Sequence, residues 1–228
     1  MTHPAALAAR HLLRAHHSAA LATLSKKFDG YPFASAVDYI TDCEARPVFF
    51  ISALAEHTRN IEHDSRASLL VQAATNGVQA SPRLILVGDA HGVPESEAVA
   101  LMPRYLRYFP DARQYFELDF RFYRFEPKQL RHIPGFAQAR WLSPGDFRPP
   151  ENRLAEQEEE LIARISREHA DALHALAGKA EAVVLAGLDC DGFDVRADGR
   201  ILRFAFAQPV PDAAAAERAL AALAGSAP

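Results

Sequence analysis

No apolar run in this 228-residue chain approaches the ~18 residues that a membrane-crossing helix needs, so no membrane partner is expected. Cysteine is scarce as well. Cys43 and Cys190 lie far apart, in neither a metal-type nor a redox spacing, and read as two reduced thiols of a cytoplasmic protein. A basic surplus is also missing: 25 Lys and Arg stand against 29 Asp and Glu, for a net charge of -4. Broad nucleic-acid binding, which needs a basic surface, is therefore not expected. The first two dozen residues are interrupted by His and Arg and lack the clean apolar core of a signal peptide. What remains, 49% hydrophobic and 24% charged, suits a folded globular protein rather than a disordered one.

The pattern along the chain divides near residue 145. After a helix over about Pro4–His16, short strand-like segments follow: Ala19–Ser25, Pro32–Ile40, Val48–Ile51, Ala67–Gln72, Arg83–His91 and Phe120–Phe125. Asp29-Gly30 marks a hairpin, in a loop longer than two residues. Glu95–Tyr108 is predicted helical because Val99, Met102 and Leu106 recur at helical spacing, and Asp111–Glu117 also looks helical. Six short antiparallel-looking strands with one inserted helix imply a small closed barrel. Ser143–Asn152, rich in Pro and polar residues, reads as a linker. Beyond it, one long charged helix over Arg153–Ala177, a three-stranded meander (Ala180–Leu188, Gly192–Ala197, Arg200–Ala207) and a terminal helix over Pro211–Ala224 make a small α+β unit. The expected class is mainly β plus α+β, with domains 1–145 and 146–228.

Chemistry concentrates where a predicted strand, Val48–Ile51, runs into a helix that opens with His57, Thr58 and Arg59. A helix start presents unpaired backbone N–H groups and a positive dipole end. A hydroxyl, an imidazole and a guanidinium added there make an anion pocket, most naturally for phosphate. An ordinary solvated helix start is the competing reading of the same residues. His169 and His174 are five apart and do not share a helical face well enough to chelate, and no metal site is expected.

In their order, several strings resemble the pyridoxamine 5′-phosphate oxidase-like FMN-binding split barrels, and more narrowly their haem-utilisation branch. They are LATL (21–24), GYPFASAVDY (30–39), SALAEHTRNI (52–61), DSRASLLV (64–71), PRLILVGDA (82–90) and FRFYRFEPKQLRHIPGFAQARWL (120–142). ISREHADAL (165–173) and LDCDGFDVRADGRILRFAF (188–206) resemble the small C-terminal domain that accompanies this branch. The resemblance implies a split barrel that forms a homodimer, with the cofactor in a groove at the interface. It implies FMN as the cofactor of a flavin-dependent oxidoreductase, with haem as the alternative in a haem-binding or haem-degrading protein. A non-catalytic dimeric binding module is a further alternative.

Carried onto this sequence, the flavin-phosphate segment is Ser52, His57 and Thr58, with Arg59 and Asn60. Ser35 and Val37 would lie beside the ribityl chain or ring, Arg83 near the ring or the partner's site, and Arg140 and Trp141 over the cofactor's edge. Each has a plainer rival: an outward strand residue for Ser35, a barrel-mouth charge for Arg83, a packing anchor for Trp141. Nothing nominates a catalytic acid or base. The tail after Leu202 contains no His, so an iron ligand, if haem binds, comes from elsewhere in the chain.

Overall fold

The computed structural model describes residues 3–73 and 77–225. It separates into two units, one formed by residues 1–102 and 111–148, the other by 103–110 and 149–228.

The first unit starts with α1 (Pro4–Arg14) and continues with β1 (Ser18–Leu24), β2 (Pro32–Thr41), β3 (Pro47–Ser52), α2 (Glu56–His63), β4 (Arg66–Gln72) and β5 (Arg83–Gly92). Then come α3 (Glu95–Tyr108), a 3₁₀ segment over Pro110–Tyr115, β6 (Phe120–Ile133), β7 (Arg140–Leu142) and α4 (Pro144–Phe147). The antiparallel order is β3-β2-β1-β4-β5-β6, closed by pairing of β3 with β6, and β7 flanks β6 as an added edge. This is the expected six-stranded barrel. Alternation along the strands turns Leu21, Val37, Tyr39, Leu69, Leu84, Leu86 and Leu130 inward to form the core. Helix α1 adds Ala6, Ala9 and Leu13, and the buried Tyr39 hydroxyl donates to the Leu13 carbonyl at 2.7 Å.

Three sequence expectations change in detail here. β6 runs on past Pro127 to Ile133, because Pro127 falls at a bulge where its missing N–H costs no ladder bond. Gly88 faces that bulge, where a Cβ would stand 2.1 Å from the Glu126 carbonyl oxygen. In place of the helix expected over Asp111–Glu117 stands a 3₁₀ segment, Pro110–Tyr115, followed by a turn. The proposed linker contains α4, whose Phe147 is buried and whose Ser143 caps it by accepting from the Asp146 N–H at 3.1 Å.

In the second unit the long charged helix is broken. A 3₁₀ turn (Ala155–Gln157) leads into α5 (Glu158–Glu168), and His169 separates it from α6 (Ala170–Ala177). Next come β8 (Val183–Asp189), β9 (Gly192–Ala197), β10 (Arg200–Ala205) and α7 (Ala213–Gly225), the sheet being ordered β10-β9-β8. Its core includes Leu161, Ile165, Leu173, Leu185, Phe193, Val195 and Leu220. The last turns of α3 belong to this unit, where Arg104 and Arg107 both pair with Glu158.

Candidate functional site

β3 ends at Ser52, and a short extended link through Ala55 leads into α2. The junction is densely bonded. Ser52 Oγ donates to Asp119 Oδ2 at 2.8 Å and accepts from the Leu54 N–H at 3.0 Å, while the same N–H lies 3.2 Å from Asp119 Oδ2. Thr58 Oγ1 donates to the Ser52 carbonyl at 2.7 Å. Asn60 Nδ2 donates to Thr23 Oγ1 at 3.0 Å, and Asn60 Oδ1 accepts from the Lys26 N–H at 2.9 Å. Thr58 and Asn60 are fully buried, so their polar atoms hold the helix to the barrel. His57 is half-buried, with its Nε2 enclosed and without a hydrogen-bond partner among the described residues, and burial lowers its pKa. Arg59 is exposed. The Ser52 hydroxyl, with the Leu54 N–H, holds the Asp119 carboxyl below its usual range.

The other nominated residues lie elsewhere on the barrel. Ser35 faces Leu21 across β1 and β2, with its Oγ enclosed and unpartnered among the described residues; Val37, on the same inner side, packs into the core at 5% exposure. Arg83 Nη1 donates to the carbonyls of Val78 (2.8 Å) and Ser81 (3.2 Å), and so holds the turn before β5. Trp141 is 59% exposed, with the Arg131 guanidinium 5.2 Å from its ring centroid. Arg140 pairs across the β6–β7 ladder with His132, whose imidazole pKa is lowered by burial and then by the Arg140 charge.

Register divides these residues into two groups. Ser52 stands opposite Phe120 at the start of β6, whereas Arg83 stands opposite Ile133 at its end and Trp141 opposite Arg131. The two ends of β6 are roughly 40 Å apart along the strand at about 3.3 Å per residue. A flavin or porphyrin on one chain therefore meets one group or the other.

Between the groups lies a feature that the sequence reading missed. Ala20 pairs with Ala36 and Ala22 with Ala34, and Ala20 and Ala22 stand opposite Leu70 and Ser68 on β4. These side chains point away from the core. They form an outer sheet face of small residues with a shallow depression of about 480 Å³ bordered by Ser18, Leu70 and Gln72. The period-two repeats Ala20-x-Ala22 and Ala34-x-Ala36 are its sequence signal, because polar residues are the usual occupants of an outward face. In the second unit, Asp189, Cys190 and Asp191 place potential ligand atoms within 4.8 Å of one another. Asp189 there receives two Arg203 N–H bonds of 2.8 Å, which makes it an ion-pair partner.

Residues 1–148 match the family described as CREG, beta-barrel. The chain belongs to that family. This CREG-type barrel chain is 30% identical over 202 residues to the Non-canonical heme oxygenase HOZ, chloroplastic, of Arabidopsis thaliana, a match covering 84% of the chain and 62% of that relative. The chain thus spans less than two thirds of the relative's length. Among solved structures, Atu2129 of Agrobacterium tumefaciens strain C58, a protein of unknown function, superposes with a TM-score of 0.80 at 30% identity, covering 96% of this chain and 94% of that one. A heme binding protein from Mycobacterium smegmatis matches at 27% identity with a TM-score of 0.59, covering 100% and 98%. The expected split barrel, in its haem-related branch, is the observed fold. No helix among the described residues is long and apolar enough to cross a membrane.

Proposed function

We propose that two copies of this CREG-type barrel pair through the alanine-lined outer face of β1 and β2 and hold haem at the rim of that pairing. The observation carrying this reading is the exposed small-residue face lying between two separated groups of ligand-type residues. Small side chains let two sheets approach closely, and a second copy brings its own Arg83, Arg131 and Trp141 toward the first copy's α2. Guanidinium groups suit the propionates of a tetrapyrrole and an exposed indole suits its ring edge. His57 is the residue that would hold the iron, its imidazole turning outward to do so: its Nε2, enclosed in the single chain, has no partner among the described residues to keep it there, and burial favours the neutral imidazole that ligates metal. Two relatives described as a heme oxygenase and a heme binding protein support the choice of ligand. Bound haem would supply iron redox chemistry toward dioxygen, which makes haem degradation the reaction class to test.

An FMN-dependent oxidoreductase is the second reading, favoured by the exposed Arg59 on the first turn of α2, where Ala55 provides no side-chain cap. A titration of the purified chain with haemin and with FMN separates the two. A saturable Soret band together with a dimer in sedimentation is the expected result. A monomer that leaves haemin in its free, aggregated spectrum sinks the proposal.

A further inference from the structure

The start of α2 carries its own anion. Asp119 sits immediately before β6, its backbone carbonyl accepts from the Ala53 N–H at 3.0 Å, and the β3–β6 register sets Phe120 opposite Ser52. Its carboxylate is thereby fixed beside the strand-to-helix turn. The hydroxyl of Ser52 and the peptide N–H of Leu54, donors of the kind that cradle phosphate at such turns, both reach Asp119 Oδ2, at 2.8 and 3.2 Å. The Thr58 hydroxyl is committed to the Ser52 carbonyl and the Asn60 amide to Thr23.

We infer that Asp119 is a ligand-selectivity residue, whose carboxylate takes the position of a ligand phosphate at the β3–α2 junction and so turns the barrel away from phosphorylated flavins. The preference for porphyrin over FMN rests on the haem reading above; the exclusion of phosphate does not. An arriving phosphate dianion meets a like charge and finds the Ser52 and Leu54 donors already bonded. An aspartate is ionised at neutral pH in any case, and the bonds from Ser52 and Leu54 hold its carboxylate at the junction, so the repulsion is present there.

The test compares FMN with riboflavin, which differ only by the phosphate, using flavin fluorescence at low ionic strength where exposed charges act most strongly. The wild-type chain is expected to bind FMN no better than riboflavin, or to bind neither. Asp119→Ala is expected to raise the preference for FMN over riboflavin at least tenfold. Asp119→Asn, which retains an oxygen acceptor for Ser52 and Leu54, shifts it in the same direction and covers the case in which the alanine variant fails to fold. A wild-type chain that prefers FMN tenfold or more overturns the inference. So do folded variants with an unchanged preference or with no FMN binding at all. Haemin titrated in parallel reads the haem proposal separately: loss of haemin binding by the wild type counts against that proposal and leaves the flavin comparison intact.

Discussion

The Tyr108 hydroxyl donates to Asp194 Oδ2 at 2.6 Å in the interior of the second unit, and Gly187 makes room for the ring that carries it. A Cβ on Gly187 would stand 2.0 Å from the Tyr108 hydroxyl oxygen, at the irregularity of β8 between Leu185 and Gly187. Burial and the neighbouring Asp194 charge push the phenol pKa well up, so it stays a donor at every physiological pH.

Gly187→Ala is therefore expected to destabilise the second unit by about 1–3 kcal/mol, the usual cost of overpacking an interior. Urea unfolding followed by tyrosine near-ultraviolet dichroism measures it. Tyr31, Tyr39, Tyr115 and Tyr123 lie with Trp141 in the first unit and Tyr105 and Tyr108 in the second, so the readout is the part of the tyrosine transition that departs from the Trp141 transition. An unchanged tyrosine transition would show that the ring is free to move aside.

Arg203 joins two nearly buried carboxylates, Asp189 with a pair of 2.8 Å bonds and Asp194 at 3.0 Å. Removing one member of such a group leaves charge buried without a partner, typically at 3–5 kcal/mol. Arg203→Met is expected to cost about that much. Arg203→Lys keeps the charge but loses the planar fork, so it should fall in between. Hydrogen exchange of the β8–β10 amides reads both. Full protection in the methionine variant would show that the two aspartates tolerate each other unaided.

Three imidazoles of the barrel, His16, His57 and His132, have pKa values lowered by burial. An unfolded His takes up a proton near its ordinary value of about 6.5, while the folded side chain refuses it until lower pH. The unfolded state thus binds more protons in that window, and stability falls as pH drops below about 6.5. The urea midpoint of the Trp141 transition should decline between pH 7.5 and 5.5. His132→Gln should flatten that decline, because His132 is almost fully buried. A midpoint independent of pH over this range would contradict the assignment.

Ala20 and Ala36 face outward, so a charged residue at either position has room in a single chain. Ala20→Glu or Ala36→Arg is expected to leave the thermal midpoint of the isolated barrel within a few degrees while abolishing self-association and weakening haemin binding at least tenfold. Sedimentation velocity and Soret titration on the same samples provide the check. Retained dimerisation would move the interface to another face.

Periodic and turn-coded elements were legible in the sequence. Helix α3 spans Glu95–Tyr108, as its apolar spacing predicts, and β9 spans Gly192–Ala197. The Asp29-Gly30 turn closes as expected and Asp198-Gly199 closes the same way, with Asp29 and Asp198 both at φ 48 and the following glycines near φ 80. Expectation and structure parted where a distant residue intervenes. β6 continues through Pro127 because Gly88, on another strand, makes space for the bulge. The break at His169 has no Pro or Gly to announce it.

The same division runs through the candidate site. Hydrophobic alternation and helix-start chemistry are local properties, so the chain by itself determined six barrel strands, the small α+β unit and the gathering of Ser52, His57, Thr58 and Arg59 at one turn. Tertiary structure alone decided what those groups are bonded to. Strand pairing brings Asp119 from 67 residues away onto Ser52, sinks Thr58 and Asn60 into the barrel wall, and parts Arg83 and Trp141 from α2 by the length of β6. Closure of a sheet sets such neighbours through register, and register is a relation between segments that no single stretch of sequence contains.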